Sequence, residues 1–119
     1  MKIVLPIEKI NGEDLLGSSF GRTEYFMLFD SEKDETTVID NSAAMLQGGA
    51  GIKAAQTVID LDADVVILPQ CGQNAMDLFV AAKTTVLKSV SRDVLENIEF
   101  CLNNKLEALN DAHPGLHHK

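Results

Sequence analysis

Short continuous apolar runs alternate along this chain with longer stretches whose apolar positions recur at helical spacing. Lys2 to Pro6 (KIVLP) reads as a buried strand that Pro6 ends, because proline has no N–H for a sheet ladder. Residues 11–19 (NGEDLLGSS) read as a turn-rich loop. The β-rich segments EYFMLFD and TTVID flank the charged stretch SEKDE, which is the pattern of an antiparallel hairpin. After a small polar connection from Asn41 to Gly49, Ile52, Ala55, Val58 and Ile59 mark a helix beginning at Ala50 and closed by Asp60 and Asp62. DVVILP is a Val/Ile/Leu run too short for a typical helix, the signature of a parallel strand buried on both faces. Ala75, Leu78, Phe79 and Ala82 share one face of a second helix with Asn74 as its candidate cap. TTVLK gives a fifth strand. Ser91 caps a last helix through Val94, Leu95, Ile98, Leu102, Leu106 and Leu109. The order predicts an α/β fold, a mixed sheet with helices on both faces.

Size and charge narrow the function classes. The chain has 119 residues, 45% of them hydrophobic, enough for one domain over residues 1–109 with a His-containing tail over 110–119. Eighteen acidic against ten basic side chains leave a formal charge of -8, which disfavours nucleic acid and anionic lipid as partners. The N-terminal apolar run is too short and too soon charged for a secretion signal, and no stretch approaches a membrane span. Cys71 and Cys101 are too few for a disulfide framework, so a reducing cytoplasm is the expected setting, and the expected state is a monomer.

In open α/β sheets ligands sit beyond the carboxyl ends of the parallel strands, where helix N-termini also point. The loop after KIVLP, the glycine stretch QGGAGIKAAQ and the PQCG segment should meet there. Together they offer Ser18, Ser19, Arg22, Gly48, Gly49, Gly51, Cys71, Gly72 and Asn74. Bare N–H groups at a helix start favour an anion, and glycines let a bulky ligand approach the backbone. The same glycines also suit a tight turn, Arg22 also suits a surface ion pair, and Cys71 also suits a small buried hydrophobe.

The combination SSFGRTEYFMLFD, DNSAAMLQGGAGIKAAQ and ADVVILPQCGQNA resembles the dinitrogenase iron-molybdenum cofactor biosynthesis family, including its small stand-alone members. The resemblance runs from about Met1 through the last helix. It implies a three-layer α/β/α ribonuclease-H-like fold with a five-stranded mixed sheet including one antiparallel hairpin strand. It also implies a non-enzymatic carrier of an iron-molybdenum or related metal-sulfur cluster, working with a cofactor-assembly or acceptor protein. Many relatives resemble SPHFGRA at the first loop and carry a histidine before the glycine-rich turn. This chain has Ser18-Ser19-Phe20-Gly21-Arg22-Thr23 and Met45-Leu46-Gln47-Gly48 instead, so histidine ligation does not carry over. Cys71 remains the soft metal ligand of the crevice, suited as a thiolate to iron-sulfur or molybdenum-sulfur chemistry.

Other readings meet specific objections. Gly49, Gly51 and Ala54 match G-x-G-x-x-A, but several residues separate them from the preceding strand and DVVILPQC ends without an acid, against a dinucleotide site. A nuclease would need clustered carboxylates, for which Glu8, Asp30 and Asp40 are the candidates, and a substrate that the net charge repels. Thiol-redox catalysis lacks a C-x-x-C pair. Cys101 belongs with packing, and His113, His117 and His118 offer accidental metal affinity in a tail. A small-anion or metabolite binding module is the alternative to a cluster carrier.

Overall fold

A computed structural model describes residues 1–109, so the tail with its three histidines lies outside the described residues. The chain forms β1 (Lys2–Ile10), β2 (Glu13–Leu16), β3 (Tyr25–Asp30), β4 (Glu35–Asp40), α1 (Ala50–Asp60), β5 (Val65–Leu68), α2 (Gln73–Ala82), β6 (Thr85–Lys88) and α3 (Val94–Leu102). The sheet has six strands in the order β4-β3-β1-β5-β6, with β2 added on β1. β1, β5 and β6 run parallel, whereas β2 and β3 pair antiparallel with β1, and β4 with β3.

The side-chain alternation of β1 builds two cores. Ile3, Leu5 and Ile7 meet Val65, Ile67 and, from α3, Val94, Ile98 and Cys101. Val4 on the opposite face joins Phe26, Val66 and Leu68 beneath α1 and α2, which contribute Ala54, Val58, Met76 and Phe79. Helices therefore cover both faces, in three layers. β5 is buried at every position, as its unbroken apolar run requires.

Several expectations need correction. The five-stranded sheet gains a sixth strand because residues 13–16 are not loop: Asn11 and Gly12 both adopt positive φ (52° and 84°), the two-residue turn that returns β2 onto β1. Pro6 does not end β1. Its carbonyl accepts from Gly17 N at 2.8 Å, so its ring nitrogen faces the same way, toward the edge where β1 changes neighbour from β5 to β2. The missing N–H therefore costs no bond to β3. Asp93, not Ser91, caps α3, accepting from Glu96 N at 3.0 Å. That helix stops at Leu102 rather than Leu109, and Asn104 turns at φ 58°. Residues 107–109 then run antiparallel to β6, with Lys88 N donating to Glu107 O and Leu109 N to Val86 O. Ile52, Ala82 and Leu95 lie exposed instead of facing a core.

Candidate functional site

Beyond the carboxyl ends of β5 and β6 the surface opens into a cleft of about 970 Å³. Its first wall is a 3-10 turn, Phe20–Arg22, in the loop after β2 rather than after β1. Phe20 drives its ring between Phe26 and Phe79, 5.7 Å from each centroid, and so anchors the loop to the core. Gly21 rests on the first turn of α1 so closely that a Cβ there would lie 2.9 Å from Gly51 N. Buried Asn41 ties this turn to the next: its amide donates to Gly21 O and Thr23 O, and its Oδ1 accepts from Ala43 N at 3.0 Å. Arg22 donates to Ala44 O and to Leu46 O, clamping the 3-10 turn Ser42–Met45 that leads to α1.

The second and third walls are the N-termini of α1 and α2. Gly49 ends the approach to α1 in the left-handed region (φ 72°), and Gly72 occupies the cap of α2; neither helix has a side-chain cap or an acidic residue in its first turn. Among the described residues no acceptor meets the N–H groups of Ala50, Gly51 and Ile52 or of Gln73, Asn74 and Ala75. Two helix dipoles, each equivalent to about half a positive charge, thus end on one cleft. α3 differs, because Asp93 occupies its terminus.

The fourth wall is Lys88 at the end of β6 with Glu107, Ala108 and Leu109 beside it. Of the chain's eighteen acidic residues, Glu107 alone among the described ones lines the cleft, where Arg22 and Lys88 supply positive charge. The cleft is thus locally cationic in an acidic protein, the electrostatic arrangement for an anion.

Seven of the nine candidate residues meet here: Ser19, Arg22, Gly49, Gly51, Cys71, Gly72 and Asn74. Ser18 lies outside, exposed, its carbonyl accepting from Gln70 Nε2 at 3.4 Å, and Gly48 lies on the exposed approach to α1. Asn74 is a first-turn residue of α2 and not its cap. Cys71 lies at the floor, 4% exposed and packed in the α1/α2 core, its thiol donating to Gly72 O at 3.5 Å. Burial pushes this thiol from 9.0 up to about 11, so it is protonated at neutral pH. No cluster of three His, Cys, Asp or Glu side chains suited to a metal occurs among the described residues.

Sequence reading alone missed Gln70, Lys88 and Glu107. Lys88 lies there as the carboxyl end of β6, whereas Glu107 reaches the cleft only through the return of residues 107–109 along that strand, which no local signal announces. Asn41, missed as well, sits just before a short polar turn, the setting in which an asparagine side chain bonds nearby backbone.

Known proteins resemble this chain in sequence and in fold. The uncharacterised protein MJ0580 of Methanocaldococcus jannaschii is 30% identical over 110 residues, covering 90% of each chain. The apo form of the orange protein of Desulfovibrio gigas superposes with a TM-score of 0.82 at 25% identity, over 92% of each chain. The Thermotoga protein TM1290, provisionally described as a NifB protein, gives 0.78 at 25% identity over 96% of this chain and 98% of its own. The family model for the dinitrogenase iron-molybdenum cofactor matches residues 1–104, and the chain belongs to that family.

Proposed function

We propose that this protein is a non-enzymatic carrier that holds an anionic iron-molybdenum or related metal-sulfur cluster in the cleft and passes it to an assembly or acceptor protein. The observation that carries this reading is the pair of glycine-capped helix N-termini, whose N–H groups are unpartnered among the described residues, on a cleft lined by Arg22 and Lys88. Anionic clusters expose sulfides that accept hydrogen bonds from such donors. Family membership supports a role around the same cofactor, and the orange protein, described in its apo form, supports a fold that takes a removable ligand.

Within this reading the two helix ends and Arg22 bind the cluster's periphery and Cys71 ligates a metal. Ligation there requires the thiol to lose its proton, which burial opposes. Charge complementarity therefore brings the cargo in, and coordination follows. The thiolate–metal bond forms on loading and breaks on release, while the cargo's own metal–sulfide bonds stay intact.

The test is an anaerobic titration of the apo-protein with iron-sulfur and molybdenum-sulfide clusters, followed by desalting, visible absorption and metal analysis, with Cys71→Ala alongside. Stoichiometric retention, reduced in the variant, is the expected result. Retention equal in both proteins removes Cys71 from the mechanism. Retention in neither, with saturable heat on titrating phosphate-containing ligands, assigns the cleft to a small anion or metabolite instead.

A further inference from the structure

Glu107 is out of place in a cleft built to attract anions. It sits on the return segment, where Leu87 and Ala108 form an antiparallel bridge. The bonds on either side, Lys88 N to Glu107 O at 2.8 Å and Leu109 N to Val86 O at 2.9 Å, fix the register. Lys88 and Glu107 are consequently direct cross-strand partners, whose Cβ atoms in such pairs lie about 4.5–5.5 Å apart. Both side chains are exposed, both line the cleft, and no ion pair of 4.0 Å or less joins them among the described residues. The carboxylate is thus close enough to screen the lysine without being locked to it.

Building on the carrier reading, we propose that Glu107 is a built-in competitor for Lys88, occupying the cation's field while the cleft is empty and yielding it to anionic cargo. The carboxylate limits how tightly the cargo is held, which keeps a carrier's binding reversible. It also sets a charge threshold. A multiply charged anion outcompetes the carboxylate for the field of Lys88, whereas a weakly charged one does not. Leu106 and Leu109 pin the segment to the two cores, and the exposed Glu107 side chain belongs to neither, so it can withdraw without disturbing them.

The experiment compares wild type, Glu107→Gln, Lys88→Gln and the double variant. Each is titrated by visible absorption with the tetrathiomolybdate dianion, a minimal anionic molybdenum sulfide, and by calorimetry with inorganic phosphate. Glu107→Gln should tighten binding of the dianion about three- to tenfold at low ionic strength, the scale of one screened charge at short range. The gain should shrink toward unity at about 0.5 M salt and disappear in the Lys88→Gln background. Binding by wild type that is unchanged or weakened in Glu107→Gln overturns this inference and leaves the carrier reading standing. A gain that persists without Lys88 overturns competition for that lysine. Failure of both wild type and Glu107→Gln to bind either anion overturns the anionic cleft itself, and with it both readings.

Discussion

Gly51 is the sharpest place to separate what the fold needs from what a ligand needs. It is the second residue of α1, where glycine costs about 0.5–1 kcal/mol relative to alanine in lost backbone entropy. No described residue requires that cost, because a Cβ at Gly51 would meet none of their atoms within 4 Å, yet the residue lines the cleft. Gly51→Ala should therefore raise stability by about 0.5–1 kcal/mol, or about 2–5 °C in Tm for a chain of this size. It should also push the cargo off the α1 terminus. Losing one charge-assisted hydrogen bond costs about 1.5–3 kcal/mol, so affinity should fall on the order of tenfold or more. Gly21→Ala is the control, since its Cβ would lie 2.9–3.1 Å from the backbone of Ala50 and Gly51. That variant should lose about 1–3 kcal/mol by overpacking. Thermal unfolding and anaerobic cluster titration on the same preparations provide both readouts. A Gly51→Ala protein that is more stable and binds normally would refute the reasoning, because the glycine would then be serving neither packing nor cargo.

Other perturbations act on the same walls. Gly72→Asp places a carboxylate at the α2 cap, as Asp93 does for α3; it should stabilise the protein by about 0.5–1 kcal/mol in thermal unfolding and abolish anion binding by occupying the donors. Arg22→Lys keeps the charge but replaces the Nη1 that donates to both Ala44 O and Leu46 O with an ammonium on a stem one atom shorter, so hydrogen exchange at residues 44–48 should quicken, with a stability loss of about 1 kcal/mol. The Cys71 thiol, raised by burial to about 11, holds its proton more tightly folded than unfolded. Its contribution to stability is complete below about pH 8.5 and is lost as pH climbs through 11. Urea midpoints measured across that window should fall, less steeply in Cys71→Ala, where Cys101, its thiol also pushed up by burial, remains. Cluster retention through Cys71 should conversely improve as pH rises from 6 to 9, because ligation releases a proton.

How far sequence led depended on whether the deciding contacts were local. β5 was legible because VVIL is buried at every position, and the start of α1 because glycines cluster where backbone is bare, whereas α2 begins at the Gly72 cap, two residues before the Asn74 that sequence suggested. β2 was illegible by hydropathy since EDLL carries two acids and is only partly buried, although Asn11-Gly12 was a usable hairpin signal. The overlong last helix has a different cause. Leu106 and Leu109 keep helical spacing with Leu102, but they pack in opposite layers, Leu106 with the α3 core and Leu109 with the α1/α2 core. Residues on opposite faces of a sheet belong to an extended segment, and spacing on its own does not distinguish the two.

That misreading bears directly on the site. Had residues 107–109 continued a helix, the fourth wall would have kept only Lys88 and lost its only described carboxylate. The family resemblance carried histidines at loops where this chain has Ser19 and the Met45–Gly48 stretch, which shifts attention from ligation to charge. A protonated, buried Cys71 offers little attraction to a metal before the cargo is seated. Unpartnered N–H groups attract anions at every pH, and their attraction, with that of Arg22 and Lys88, weakens with salt. Recognition in this cleft is consequently set first by the cargo's charge and only then by its metals, so anions of equal size and unequal charge should be separated more strongly than clusters of equal charge and different metal content.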